Sequence, residues 1–143
     1  MNEQIEIAVV TDLTNNQIDQ LVLLYRNEFW SNRRSRSDVE SMLANTDIAI
    51  GVEDRSNNIV GFVRILTDYV YKAIVFDLIV HPKWRGKKVG KFLMNTVINH
   101  PKLRNVEHFD LNCLPKMYEF YEQWEFTAEV GELGFMRRFN NTQ

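Results

Sequence analysis

The sequence is almost free of cysteine: Cys113 is the only one among 143 residues. A single cysteine excludes an intramolecular disulfide and a metal site built from several cysteines, so we predict no metal site and a reducing compartment. No uncharged apolar run approaches the roughly 20 residues that a membrane-spanning helix needs. The opening residues MNEQIEIAVV place no basic segment before the apolar one, as a secretory signal would. These absences predict a cytoplasmic protein with no membrane partner.

A large excess of charge is also lacking, since 17 Lys and Arg residues stand against 19 Asp and Glu residues and leave a net charge of −2. We therefore expect no nucleic-acid partner. Linkers, repeats and low-complexity stretches are absent too, so the 143 residues predict one domain that spans residues 1–143. Positive charge is concentrated in two places, around Arg34 and from Lys83 to Lys91.

The order of apolar stretches and capping residues predicts strand, two helices, three strands, helix, strand, helix and strand, which is an α+β arrangement. Thr14 with Gln17, and Ser37 with Glu40, have the spacing of capping boxes and begin the first two helices. The first of these helices is expected to run to about Phe29. The strands predicted in the first half are Ile5–Val10, Ile48–Glu53, Ile59–Leu66 and Ala73–Val80.

The most informative segment joins the apolar stretch that ends at Val80 to an amphipathic helix pattern that begins at Val89. The first backbone N–H groups of a helix have no internal partner, and the helix dipole favours negative charge there. Glycines between the two elements let the backbone turn and approach a ligand closely. This order therefore predicts a phosphate or pyrophosphate site. The residues predicted to form it are Arg85, Gly86, Lys87, Lys88, Val89, Gly90 and Lys91.

The spacing of this loop separates phosphate-binding families. A Walker loop is excluded because Phe92 stands where it needs Ser or Thr, and the G-x-G-x-x-G fingerprint fails because the glycines lie too far apart. The loop resembles the pyrophosphate loop [QR]-x-x-G-x-[GA] of the GNAT superfamily of N-acetyltransferases. Arg85 matches its first position and Gly90 its last, whereas Lys88 replaces the usual first glycine. The alternative is a basic surface turn without a ligand.

A second segment, Val106–Phe126, resembles the late motif of the same family, A-x-x-[FL]-Y-x-x-x-G-F. Phe120 and Tyr121 match the [FL]-Y pair, and Phe126 matches the closing Phe. Glu125 replaces the usual glycine. Two such motifs in the right order are much more specific than either alone.

The resemblance implies an α+β fold with a GNAT-like mixed, mostly antiparallel sheet, flanked by about four helices, and a splayed cofactor cleft. It also implies acetyl-CoA as the co-substrate. The backbone near Leu78, Ile79 and Val80 would bind the pantetheine arm and polarise the acetyl carbonyl. Simple core packing is the alternative for Leu78 and Val80, and both can hold because the ligand would use the backbone.

Acetyl transfer to an amine also needs groups that move protons. In the family, the Tyr of the [FL]-Y pair often acts as the general acid, which implies this role for Tyr121. Packing of Tyr121 with Phe120 and Trp124 at helical spacing is the alternative. Asp77 is the candidate base, because it is the only carboxylate in an apolar strand and burial raises a carboxyl pKa. Alternatively, Asp77 accepts hydrogen bonds from backbone N–H groups of the following loop.

The acceptor side is expected in the segment from Tyr25 to Arg36, since the family's first two helices line the acceptor pocket. Phe29 and Trp30 would form an aromatic wall. Arg34 would bind an acceptor carboxylate or phosphate, because guanidinium grips such groups in bidentate fashion. A solvated basic loop is the alternative.

The sequence thus predicts an acetyl-CoA-dependent N-acetyltransferase that moves an acetyl group by direct transfer to a primary amine of a small molecule or a protein. The rival prediction is a non-catalytic CoA-binding regulatory or interaction module. Lys88 and Glu125, which replace glycines, favour the rival, and Tyr121 beside Phe120 favours the enzyme. A monomer or a homodimer is expected.

Overall fold

The computed structural model describes residues 6–140. Within this range, five strands form one mixed sheet in the order β1-β2-β3-β4-β5, in which only the β4–β5 pair is parallel. The strands are β1 (Ala8–Val10), β2 (Ile48–Glu53), β3 (Ile59–Thr67), β4 (Lys72–Val80) and β5 (His108–Leu111). The α-helices of the same range are α1 (Asn15–Arg26), α2 (Arg36–Ala44), α3 (Val89–Ile98) and α4 (Tyr118–Glu122). The predicted α+β class with a mostly antiparallel sheet is confirmed.

The chain divides into two compact units, Met1–Asn112 and Cys113–Gln143. The first unit contains the sheet with α1, α2 and α3, and the second contains α4. The single domain over residues 1–143 stays a prediction. Between residues 6 and 140, no helix combines the length and the apolar character that crossing a membrane requires.

The capping residues explain where the first two helices begin. The predicted box at α1 is confirmed: the Thr14 hydroxyl accepts from the Gln17 N–H at 3.1 Å, and the Gln17 side chain accepts from the Thr14 N–H at 3.0 Å. The predicted cap Ser37 of α2 is wrong. Ser35 is the cap, because its extended backbone lets its hydroxyl accept from the Asp38 N–H at 3.1 Å. Ser37 lies inside the first turn.

Most predicted strands are present with small shifts at their ends. The second matches at Ile48–Glu53, and the first lies at Ala8–Val10, with Ile5 outside the described residues. The predicted closing strand after α4 is wrong, because the described residues 127–140 contain no strand. A strand is stable through its ladder, and no ladder forms with this segment in the range that the structure describes.

The core of the first unit fixes both faces of β3. On one face, Leu21 and Tyr25 of α1 pack in one cluster with Phe62. On the other face, α3 approaches so closely that a Cβ built on Gly61 would lie 2.8 Å from a methyl carbon of Val89. Since Val89 is the first residue of α3, this contact anchors the N-terminal turn of the helix against the sheet.

A β-bulge interrupts the pairing of β3 with β4. Phe62 pairs with Ile79 and Arg64 with Phe76, so one residue of β3 faces two residues of β4. The first of these two β4 residues is Asp77, whose φ of +60° is left-handed.

The parallel pairing of β4 with β5 ends just before the bulge. Its last pair is Val75 with Leu111, so in the described part of the chain no strand pairs with residues 76–80 on that side of β4. The end of β4 therefore has an open edge that leads directly into the basic loop.

Candidate functional site

The basic loop after β4 is built from two left-handed residues and a short 3-10 turn. The turn, Pro82–Trp84, is capped by His81, whose Nδ1 accepts from the Lys83 N–H at 3.1 Å. Gly86 has φ +76°, and a Cβ built there would meet no atom within 4 Å. Lys88 has φ +66° and directly precedes α3. The loop therefore turns sharply and leaves open space beside Gly86.

The first turn of α3 has the features of an anion site. No side chain caps it, and no acidic residue stands in it. Its backbone N–H groups and the positive end of the helix dipole are thus available to a ligand. Gly90 is the second residue of this turn, where it was expected.

The cations of the loop differ in their partners. Arg85 donates to a carboxylate oxygen of Glu28 at 2.7 Å and to the carbonyl of Val80 at 3.3 Å. The Lys87 ammonium lies 5.3 Å from the ring centre of Trp84. Among residues 6–140, the loop lysines form no ion pair. These exposed lysines are Lys83, Lys87, Lys88 and Lys91. Their charge is therefore available to a ligand.

The predicted pantetheine-binding residues lie on the open edge of β4. The Ile79 side chain is buried in the core beside α1. Leu78 and Val80 are half-buried. Core packing leaves their backbone on the edge that lacks a parallel partner.

A cluster of buried charge lies next to this edge. The Asp77 side chain is 6% exposed, and its Oδ2 accepts from Arg34 Nη1 at 2.6 Å and from Arg64 Nε at 2.7 Å. The Tyr25 hydroxyl donates to the same oxygen at 3.1 Å, and Arg34 Nη2 donates to Oδ1 at 3.2 Å. Asp77 therefore belongs to an ion-pair network with side chains of other elements, an environment that neither prediction for this residue included.

This network decides the protonation of its members. Burial raises the pKa of Asp77, but the hydrogen bonds and charges of Arg34 and Arg64 outweigh it, and the pKa falls below its ordinary value. The expectation of a raised pKa is wrong for this reason. Burial and the charge of Asp77 raise the pKa of Tyr25, so its hydroxyl stays protonated and donates a hydrogen bond to Asp77.

Arg64 is a site residue that the sequence reasoning missed, and Tyr25 was named only as the first residue of the acceptor segment. The signal for Arg64 lay in the strand IVGFVRILT, where it is the only charge, beside a neighbouring strand where Asp77 is the only carboxylate. Two lone opposite charges in adjacent apolar strands indicate a buried pair, because an isolated buried charge is costly. The sequence did not provide the register that joins them.

The predicted acceptor residues lie together in the segment between α1 and α2. An open concavity is lined there by residues 29–34 and Asp38. Phe29 is 73% exposed, and the Arg34 guanidinium lies 4.5 Å from the ring centre of Tyr25 and 5.6 Å from that of Trp30. Arg34 is thus held by Asp77 and two aromatic rings, with 28% of its side chain exposed.

In the second unit, Tyr121 belongs to an aromatic cluster on α4. Its ring centre lies 5.0 Å from that of Phe120 and 6.1 Å from that of Phe126, in edge-to-face geometry. The packing alternative is therefore present in the structure. Burial raises the pKa of Tyr121 to about 12, so the phenol is protonated at neutral pH and remains able to donate a proton.

Cys113 of the same unit is a poor candidate nucleophile. Burial raises the pKa of its thiol, whereas a nucleophilic cysteine needs a lowered pKa.

Comparison with known proteins decides the family. The model of the acetyltransferase (GNAT) family matches residues 15–126, well over half of the chain. The chain belongs to the GNAT family. The predicted family is thereby confirmed.

Individual relatives agree with this membership. An "uncharacterized N-acetyltransferase ycf52-like" protein of Prochlorococcus marinus is 30% identical over 113 residues, which are 77% of this chain and 62% of that protein. "GCN5-related N-acetyltransferase 1, chloroplastic" of Arabidopsis thaliana is 26% identical over 76% of this chain and 57% of its own length. The chain thus spans about six tenths of the length of these curated relatives. A crystal structure of a GNAT-family acetyltransferase of Xanthomonas campestris superposes with a TM-score of 0.80 at 25% identity, covering 94% of this chain and 93% of the other.

The two residues that replace glycines of the GNAT motifs both have a left-handed backbone. Lys88 and Glu125 have φ +66°, a conformation that glycine adopts without strain. A glycine would therefore fit the backbone at both positions.

Proposed function

We propose that this chain is an acetyl-CoA-dependent N-acetyltransferase that moves the acetyl group directly to a primary amine of a small molecule or a protein. Membership in the GNAT family supports acetyl transfer as the chemistry. The observation that carries the proposal is the uncapped N-terminal turn of α3, preceded by an open glycine and by lysines that form no ion pair within residues 6–140. This arrangement fits the phosphates of CoA, and acetyl-CoA supplies the thioester.

The residues of the chain take three roles in this proposal. Residues 85–91 bind the phosphates through backbone N–H groups and lysine charge. The open edge formed by Leu78, Ile79 and Val80 binds the pantetheine arm. Phe29, Trp30 and Arg34 bind the acceptor in the concavity between α1 and α2.

The transfer forms a bond between the amine nitrogen and the acetyl carbon and breaks the bond from that carbon to sulfur. A base removes a proton from the amine, and Tyr121 gives a proton to the departing thiolate. The Tyr121 phenol holds its proton at neutral pH, as a general acid must, while its pKa of about 12 makes it a weaker proton donor than a free tyrosine. The role of Asp77 as that base stays a prediction. Its lowered pKa opposes this role, because it makes the carboxylate a weaker base.

The first test asks whether the cofactor binds. Acetyl-CoA should raise the melting temperature, since a ligand of the native state stabilises it by mass action. A panel of primary amines, with release of free CoA as the readout, then identifies the acceptor class. Absence of both a thermal shift and a calorimetric heat at high acetyl-CoA concentration would contradict the proposal.

The second test concerns Tyr121. Tyr121→Phe keeps the ring and removes the proton, so kcat should fall by about 10²–10⁴-fold while acetyl-CoA affinity changes little. Tyr118→Phe on the same helix is the matched control, because Tyr118 is 43% exposed. Equal kcat in the two variants, with chemistry rate-limiting, would return Tyr121 to a packing role.

The alternative is a CoA-binding module without turnover. Lys88 and Glu125 favoured it from the sequence, and both have a left-handed backbone that glycine would adopt without strain. Cofactor binding without CoA release for any amine would establish the alternative. The cytoplasmic location and the monomeric or homodimeric state stay predictions.

A further inference from the structure

The bulge in β4 depends on an unusual backbone conformation. Asp77 has φ +60° in the middle of a strand. A residue other than glycine adopts this conformation rarely, and it persists only where the surroundings fix it. The contacts of Asp77 therefore have to account for the shape of β4 at this point.

Three elements hold the Asp77 side chain. Tyr25 donates from α1, Arg34 from the segment before α2, and Arg64 from β3, and all three bind Oδ2 within 3.1 Å. The side chain is 6% exposed. Because its three donors come from different directions, the carboxylate has one position, and the bulge is fixed with it.

The bulge lies between two parts of the proposed site. The parallel pairing of β4 ends at Val75, immediately before it, and the strand edge proposed for the pantetheine arm follows it. Arg34 of the network also lines the concavity proposed for the acceptor. The network thus joins both substrates' sites through one carboxylate.

We propose that Asp77, held by Tyr25, Arg34 and Arg64, is a positioning residue that shapes the end of β4 to receive the acyl arm of the donor. This inference rests on the proposed function. Its consequence is selective: loss of the network should weaken contacts with the pantetheine arm and leave contacts with the phosphates, which bind at the loop 85–91.

Asp77→Asn tests this, because the amide keeps the shape, tolerates the left-handed backbone and removes the charge that both arginines need. Calorimetry compares acetyl-CoA with adenosine 3′-phosphate 5′-diphosphate, which lacks the arm. We expect acetyl-CoA affinity to fall at least tenfold and nucleotide affinity to stay within twofold. Asp110→Asn is the control, since it breaks the exposed ion pair with Lys72 at the other end of β4.

A folded Asp77→Asn protein that binds both ligands normally, or loses both equally, overturns the inference. If that variant does not fold, Tyr25→Phe removes one donor while keeping the ring, and a selective loss of at least threefold for acetyl-CoA is expected. Unchanged affinities in Tyr25→Phe would then overturn it. Failure of the unmodified protein to bind acetyl-CoA would instead refute the proposed function.

Discussion

Two basic regions of the first unit contain similar residues but differ in whether their charges are paired with a carboxylate. In the loop 85–91, the lysines are exposed and form no ion pair within residues 6–140. Around Asp77, two guanidinium groups are held by one buried carboxylate and by aromatic rings. The first region can attract a ligand's phosphates, whereas the second fixes the backbone. A cation that is already paired with a carboxylate of the fold therefore has less charge to offer a ligand than a cation without such a partner.

The two regions also treat backbone strain differently. Each contains one left-handed residue other than glycine, Asp77 in the bulge and Lys88 in the loop. Asp77 gains three hydrogen-bond donors in that conformation, whereas the side chain of Lys88 makes no capping bond to α3. The strain is thus compensated in the bulge and left without compensation at the helix start.

The largest effect is expected from Asp77→Asn on stability. Removing one partner of a buried ion pair costs about 3–5 kcal/mol, because the remaining charge is left buried and unpaired, and here two guanidinium groups remain. Urea unfolding at pH 7 measures it. Asp110→Asn, which breaks an exposed pair, should cost less than about 1 kcal/mol. Equal losses of unfolding free energy in the two variants would contradict the distinction between the buried ion pair of Asp77 and the exposed one of Asp110.

The same variant has a pH signature. The pKa of Asp77 is lowered in the folded state, so its stabilisation is complete above the unfolded pKa, near 3.8, and is lost as pH falls through the lower, folded value. The difference in unfolding free energy between the unmodified protein and Asp77→Asn should therefore be constant from pH 7 to 5 and shrink below pH 4. A difference that grows on acidification would contradict the assigned ion pair.

The next largest effect is expected from Gly90→Glu on cofactor affinity. A carboxylate in the first turn of α3 would repel the phosphates, and two unit charges about 4 Å apart interact by about 4 kcal/mol at an effective dielectric constant of about 20. We expect acetyl-CoA affinity to fall at least about 100-fold. Gly90→Ala, which adds a Cβ without charge, should lose much less. A folded Gly90→Glu protein with normal affinity would remove the loop from the site.

A smaller effect is expected from Lys88→Gly. Glycine relieves the left-handed conformation, which costs an L-residue about 1–2 kcal/mol, against its own entropy cost of about 0.5–1 kcal/mol. The melting temperature should rise by about 2 °C. Lys87→Gly is the control, because Lys87 has no left-handed backbone, and it should be neutral or destabilising. A lower melting temperature for Lys88→Gly would contradict the strain assigned to this position.

The smallest effect is expected from Lys87→Gln, which removes one loop cation without an ion pair. Acetyl-CoA affinity should fall about threefold at low salt and the difference should narrow as salt screens the charge. Arg55→Gln removes an exposed arginine that is already paired with Glu6 and should leave affinity unchanged. Equal losses in the two variants would contradict the distinction between available and neutralised charge.

The sequence was sufficient to predict those features of the fold that depend on residues close together in the chain. The capping box of Thr14 and Gln17, strand β2 and the start of α3 at Val89 were predicted from residues close together in the chain, and they are confirmed. The resemblance to the GNAT family added the mixed, mostly antiparallel character of the sheet, which periodicity alone does not give.

Contacts between residues far apart in the chain could not be predicted from the sequence. The pKa of Asp77 depends on Arg34 and Arg64, which reach it only through the sheet register and the position of α2. The absent closing strand is a similar case, since a strand forms through a partner elsewhere in the chain. The sequence therefore located the charges and did not pair them.

The most direct test is a crystal structure of the protein with acetyl-CoA. The proposal predicts pyrophosphate oxygens about 3 Å from backbone nitrogens of the loop 85–91, with the pantetheine arm along Leu78–Val80 and Asp77 still held by both arginines. Phosphates bound at the concavity around Arg34, with the loop 85–91 free of ligand, would contradict it.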